Sequence, residues 1–191
     1  RDTNRLLREK MTDEVWYTAL ERQMAQKGLL IQSNRIATLK KISSAQENST
    51  TTFPIAELSL SKANGNLTTD EDEFVKALSE NRHLDIMAGR TLIGPHRSDM
   101  EATYKEKGIS AKDSSTGEQK AMLISIVLAT ARALKLELGY PPVILLDEIS
   151  AHLDIDRRGA VYEEINALGA QAWMTGTDKN LFSEFGCKAK F

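Results

Sequence analysis

Apolar residues recur at helical spacing from the start of the chain: Leu6 and Leu7, then Val15, Trp16, Ala19, Leu20, Met24 and Ala25, then Leu29, Leu30, Ile36, Leu39 and Ile42. This period predicts helices over 1–45, with Thr12-Asp13-Glu14 as a cap and acidic first turn. Gly28 falls inside the pattern, so the region reads either as a hairpin of two helices or as one helix with a defect. Ser43 to Thr52 is polar almost throughout and is expected to be a loop. Ile55–Leu60 alternates weakly, as a short strand would, and Asn64-Gly65-Asn66 has the composition of a turn. Thr69-Asp70 can cap a helix reaching about Met87, with Phe74, Leu78 and Leu84 on one face and Gly89 as its stop.

From Arg90 the texture changes to α/β. Thr91-Leu92-Ile93 predicts a strand, and Met100–Tyr104 followed by Gly108 and Ile109 predicts a β-hairpin. Ala121–Leu138 is apolar nearly all round, the pattern of a helix in a core. Pro141-Pro142 separates it from Val143–Leu146, an uninterrupted apolar run typical of a strand covered on both faces. Asp154 can cap a helix to about Leu168, and Gly169 precedes a strand over Gln171–Thr175. Strand, helix and strand at this spacing imply a parallel pair with a right-handed crossover. The expected class is α/β, with a mostly helical arm domain over 1–88 and an α/β lobe over 89–191.

Composition changes this picture little. The net charge of −2 supplies no global basic field of the kind that announces nucleic acid. Charge is uneven, however: residues 1–50 hold nine Lys and Arg against six acids, and Asp70-Glu71-Asp72-Glu73 is an acidic run. Both fit solvated helix faces and an acidic helix N-terminus. Arg5, Arg8, Arg35, Lys40 and Lys41 are candidates for DNA contact, with no motif to assign them. Cys187 is the only cysteine, which excludes an internal disulfide and a cysteine-based zinc site and fits a reducing cytoplasm. No apolar run has membrane-spanning length, so no membrane role is expected. The chain opens on Arg1 within a helical pattern, so a piece of a longer protein is expected. His83, His96 and His152 lack metal-site spacing. His96 is expected to bond backbone near a strand end, and Trp16 and Trp173 are expected in the core.

Two stretches carry candidate chemistry. Ser114-Ser115-Thr116-Gly117-Glu118-Gln119-Lys120 is a small-residue turn opening the long apolar helix. Such a turn presents free N–H groups and the positive end of the helix dipole, which suits a phosphate. Ser115-x-x-Glu118 is equally a capping box, in which the two residues satisfy each other's N–H groups. A helix end stabilises a nearby anion by only about 0.3–1 kcal/mol, or ~2 in favourable geometry, so this turn would be one wall of a larger site. The second stretch is Val143-Ile144-Leu145-Leu146-Asp147-Glu148, a buried strand ending in two acids. At the carboxyl end of a strand, Asp147 can hold Mg²⁺ through water while Glu148 orients or polarises an attacking water. Acids in a polar loop after a buried strand are the structural alternative.

Ser115-Thr116-Gly117-Glu118 resembles the signature motif of ABC-type ATPases, Val143–Glu148 resembles their Walker B strand, and Ser150-Ala151-His152-Leu153-Asp154 is similar to their D-loop. Within that class, Gly89-Arg90-Thr91-x-x-Gly94-Pro95-His96-Arg97-x-Asp99 resembles a segment of the RecF family. So do the Ser-Thr-Gly-Glu-Gln-Lys wording of the signature, Thr175-Gly176-Thr177-Asp178, and Asn4-Arg5-Leu6-Leu7-Arg8-Glu9 followed by Trp16 and Leu20.

The resemblance covers essentially the whole chain, as an inserted arm domain plus the C-terminal lobe of an ABC-type head. It implies a replication, recombination and repair protein that binds ATP and Mg²⁺, dimerises on nucleotide, and binds DNA at gaps. It also implies that the protein works with RecO and RecR in loading RecA. Ser115, Thr116, Gly117 and Glu118 of one copy would then face ATP held by the other, with Glu148 catalytic, Asp147 at the metal, and Ser150 and Asp154 in the D-loop. Two departures stand out. No G-x-x-x-x-G-K-[S/T] phosphate loop occurs in these residues, so alone they are expected neither to bind ATP tightly nor to hydrolyse it. Thr175-Gly176-Thr177 stands near where transporter-type ATPases carry a switch histidine. Another SMC-like head, or a non-catalytic DNA- or protein-binding module, would be the alternatives.

Overall fold

The computed structural model describes residues 14–49, 53–61, 68–147, 153–177 and 182. It forms two compact units that are not consecutive in sequence. One unit joins the chain up to Thr38 with Ser59–Met100, and the other joins Leu39–Leu58 with Glu101–Phe191. Among the described residues no helix is long and apolar enough to cross a membrane.

The first unit is built on helix α1 (Glu14–Glu47), which runs unbroken through Gly28. Tyr17, Glu21, Ala25, Gly28 and Gln32 are buried at near-fourfold spacing, so one narrow stripe faces inward. Helix α2 (Glu71–Ala88) lies against it, with Ala25, Phe74 and Leu78 at the centre of the contact. A Cβ at position 28 would stand 2.7 Å from Phe74 Cε1. Gly28 is therefore where α2 comes close, and the helix accepts a propensity cost of about 1 kcal/mol for it. Arg82 of α2 donates from Nε and Nη2 to the two carboxylate oxygens of Glu21, both at 2.8 Å, and stacks 5.2 Å from the Tyr17 ring centroid.

Helix α2 begins where Asp70 accepts the Glu73 N–H and ends at Gly89, whose φ of 61° suits a residue without a Cβ. Leu84, expected on the inner face, is 40% exposed. Thr91–Ile93 is not a strand. The Leu92 N–H goes to the buried Asp85 carboxylate, and the Thr91 carbonyl accepts from His96 Nε2. These local partners take the groups a ladder would need, and a single 3₁₀ turn, Pro95–Arg97, follows.

In the second unit α1 continues through the polar stretch expected to be a loop, because Ile42 and Ala45 pack against Ala129 and Gln46 is buried. The Gln46 amide pairs with both backbone groups of Ala56, donating to its carbonyl at 3.0 Å and accepting its N–H at 2.9 Å. That amide holds the start of strand β1 (Ala56–Leu60), which joins β2 (Met100–Tyr104) and β3 (Ile109–Ser110) in the order β1-β2-β3. β2 and β3 form the expected antiparallel hairpin.

Helix α3 (Thr116–Leu138) and helix α4 (Ile155–Leu168) pack on a parallel pair, β4 (Ile144–Leu146) and β5 (Ala172–Met174). Their core joins Ile124, Leu128, Ile144, Leu146, Val161 and Ile165, closed by Phe53. β4 is covered on one face only among the described residues. Ile144 and Leu146 point into the core at 4% exposure, while Leu145 and its register partner Trp173 stand 75% and 64% exposed. Trp16 is likewise exposed rather than core, and α3 leaves Leu123 and Leu136 in solvent.

Candidate functional site

Ser115 caps α3 with extended backbone (φ −62°, ψ 156°), and the full capping box is formed. The Ser115 N–H and hydroxyl both donate to Glu118 Oε2, at 2.8 and 2.7 Å, and the Glu118 N–H returns to Ser115 Oγ at 3.4 Å. Thr116 is exposed and Gly117 half-buried, and a Cβ built on Gly117 would meet nothing within 4 Å. Space beside Gly117 is therefore open.

Lys107, in the β2–β3 turn, forms an ion pair with Glu118 Oε1 and lies 5.3 Å from the Tyr104 ring centroid. Nothing in the spacing of Lys107 and Glu118 announces this pair; the hairpin turn creates it. The Lys107 ammonium, then the two Ser115 donors, pull the Glu118 carboxyl from 4.5 down to about 2, and the same contact raises Lys107. An acid whose folded pKa is depressed contributes stability above its unfolded pKa and loses it as pH falls through the folded value. The contribution of this pair is thus complete above about 4.5 and gone below about 2. Lys107→Met should raise the Glu118 titration seen by carboxyl-carbon NMR, yet leave it below 4.5 because Ser115 still donates. No movement would mean that the ion pair is not formed in solution.

Asp147 follows β4 directly and is exposed. Parallel pairing brings the end of β5 beside it: the Thr175 N–H donates to the Leu146 carbonyl at 3.0 Å, and the Thr175 hydroxyl donates to Asp147 Oδ1. Thr175, which the sequence places near where transporter-type ATPases carry a switch histidine, thus joins the strand-end acid. The signal is available in retrospect, since residues following two paired parallel strands must end side by side. Asp154 is the N-cap of α4, accepting the Arg157 N–H at 2.8 Å. Glu148 and Ser150 lie outside the described residues.

Among the described residues no group of three or more His, Cys, Asp and Glu is placed to hold a metal. Asp147 with the Thr175 hydroxyl offers hard oxygen donors on an open surface. That set suits Mg²⁺, which keeps most of its shell as water and phosphate oxygen, and does not suit a metal that needs an all-protein cage.

No family model matches the chain. It is 44% identical over 197 residues to the DNA replication and repair protein RecF of Rhizobium leguminosarum bv. trifolii, covering all of this chain and 53% of that protein. It is 43% identical to those of Rhizobium meliloti and Agrobacterium fabrum, with the same coverage. The chain spans about half the length of the curated relatives it matches. Among solved structures it is similar to the recombination mediator protein RecF-ATP in the RecFOR pathway, with TM-score 0.72 and 22% identity, and to RecF-ATPrS with TM-score 0.69. Each of these comparisons covers 94% of this chain and 50% of the other. At that identity the likeness establishes the fold.

Proposed function

We propose, from the premise that this chain belongs to the RecF family of DNA replication and repair proteins, that it supplies two walls of an ATP site shared by two copies of the molecule. One wall is the Ser115-Thr116-Gly117 turn and the other is the strand end at Asp147. The observation that carries this reading is the open space beside Gly117 at a capped helix N-terminus, in the unit where a parallel strand ends in an exposed acid. Solved relatives carry ATP or ATPrS in their names, which favours nucleotide as the ligand.

In this mechanism the α3 N-terminus and the Thr116 hydroxyl stabilise negative charge on the terminal phosphate held by the other copy, and Ser115 joins them once its hydroxyl turns from Glu118 to the phosphate. Asp147, with the Thr175 hydroxyl bonded to it, would hold Mg²⁺, which when bound would neutralise charge on the phosphates. Glu148 then positions and polarises the attacking water. Asp154 fixes the start of α4 just beyond the D-loop-like turn that includes Ser150. Partners in this reading are a second copy, DNA at single-strand/double-strand gaps, and RecR and RecO in loading RecA, in the cytoplasm.

The test uses the full-length protein. Glu148→Gln should keep ATP binding, abolish turnover and accumulate ATP-dependent dimers on size-exclusion chromatography with light scattering. Loss of ATP binding in that variant would remove the role given to Glu148. A wild-type protein that binds no ATP would leave the cap and the acids as helix-end chemistry.

A further inference from the structure

We infer that the segment Arg90–Arg97, with Arg35 behind it, is a surface that grips the phosphate backbone of DNA; this rests on the DNA-binding reading above. The segment leaves α2 at Gly89 and is fastened at four points within the first unit. Asp85, buried beneath it, accepts the Leu92 N–H at 3.0 Å, and the Asn81 amide donates to the same carboxylate oxygen at 2.6 Å. His96 Nε2 donates to the Thr91 carbonyl at 3.0 Å. Arg35 Nη1 donates to the Pro95 carbonyl at 2.6 Å and reaches the Ser98 carbonyl at 3.5 Å. The Asp99 N–H donates to Ser61 Oγ at 2.8 Å. Gly94, at φ 135°, makes the bend that brings these fastenings together, a conformation side chains rarely adopt.

On this fixed scaffold Arg90 and Arg97 are exposed, and among the described residues neither guanidinium has a hydrogen-bond or ion-pair partner. Arg35 bonds through Nη1 to carbonyls, which carry no formal charge, so it adds its full positive charge beside the same segment. Within residues 85–99 the acids are Asp85, buried under the loop, and Asp99, exposed and bonded to the neutral Met100 N–H, so three guanidinium groups stand against two carboxylates. Guanidinium groups on a preorganised backbone match phosphate oxygens and lose little freedom on binding. Leu92, Ile93 and Pro95 are half-buried, so the segment offers charge without the apolar anchor that the centre of a protein–protein interface requires. Such contacts set position on the duplex and carry no sequence information.

Fluorescence anisotropy of the full-length protein with ATP on labelled gapped DNA, across about 50 to 200 mM salt, tests this. In an R90Q/R97Q variant the slope of log affinity against log salt should shrink by roughly 0.9 per lost contact, and equally on two unrelated sequences. R90K/R97K should restore the slope, and K76Q should leave it unchanged, since Lys76 is already beside Glu80. Wild-type binding with an unaltered slope in R90Q/R97Q, or failure of the lysine pair to rescue, would overturn the inference. Wild-type protein that shows no salt-dependent DNA binding would overturn the DNA reading itself, and this inference with it.

Discussion

Glu21→Ala is expected to destabilise the first unit by about 3–5 kcal/mol, the usual consequence of stripping one partner from a buried ion pair. Both oxygens of Glu21 accept from Arg82 at 2.8 Å, and the two side chains are only 7% and 21% exposed. The Glu21 hydrogen bond is also the main reason that the Arg82 pKa is raised. Arginine does not escape by losing its proton, so the variant must keep a charged guanidinium against the Tyr17 ring with its counter-charge gone. A cation–π contact returns only about 0.5–2 kcal/mol. The matched apolar pair Glu21→Leu/Arg82→Leu should be close to neutral, because it removes both charges together. Lys41–Glu137, about half exposed on both sides, should by contrast be worth no more than about 1 kcal/mol. Urea unfolding followed by Trp16 fluorescence, in a Trp173→Phe background, reads the difference. A loss below about 1 kcal/mol in Glu21→Ala would show that water reaches Arg82 and that the pair is a surface one.

That pair was not legible in the chain, and the reason is general to this protein. Features fixed by chemistry within four residues could be read directly: the Asp70, Ser115 and Asp154 caps, the Gly89 stop, and the hairpin at Gly108. Features fixed by a residue far away could not. Gly28 reads as a break and is instead a place of close approach, because Phe74 lies forty-six positions on. Ser43–Glu47 reads as loop and is helix, because Gln46 has Ala56 and Ser125 to bond. Thr91–Ile93 has strand composition, yet Asp85 and His96 consume its backbone groups. His96 itself does bond backbone as expected, although beside a turn rather than a strand. The candidate site divides in the same way. The Ser115–Glu118 box and Asp147 are visible in sequence, whereas Lys107 and Thr175 reach them only through the hairpin and the parallel pairing. Leu145 and Trp173 mark a further limit: an apolar run shows that a strand packs, and leaves open how many of its faces are covered.

Gly117→Ala separates folding from the proposed nucleotide sandwich. Gly117 is the second residue of α3, and a methyl group there meets no atom within 4 Å. The capping bonds between Ser115 and Glu118 do not involve it. Alanine also forms helix more readily than glycine, so the variant should be at least as stable as the parent, by up to about 1 kcal/mol. A Cβ at this position matters only if another molecule's phosphate must approach the backbone within hydrogen-bond distance. In that case full-length Gly117→Ala should bind ATP as a monomer with unchanged affinity, yet dimerise on ATP at least about tenfold more weakly, a difference of ~1.4 kcal/mol. Thermal melting, nucleotide binding and light scattering of one preparation keep these outcomes apart. A lowered melting point would make Gly117 a structural glycine, and unaltered ATP-dependent dimerisation would place the phosphate away from this turn. Only the combination of an intact fold, intact ATP binding and a weakened dimer fits a backbone reserved for the other copy's nucleotide.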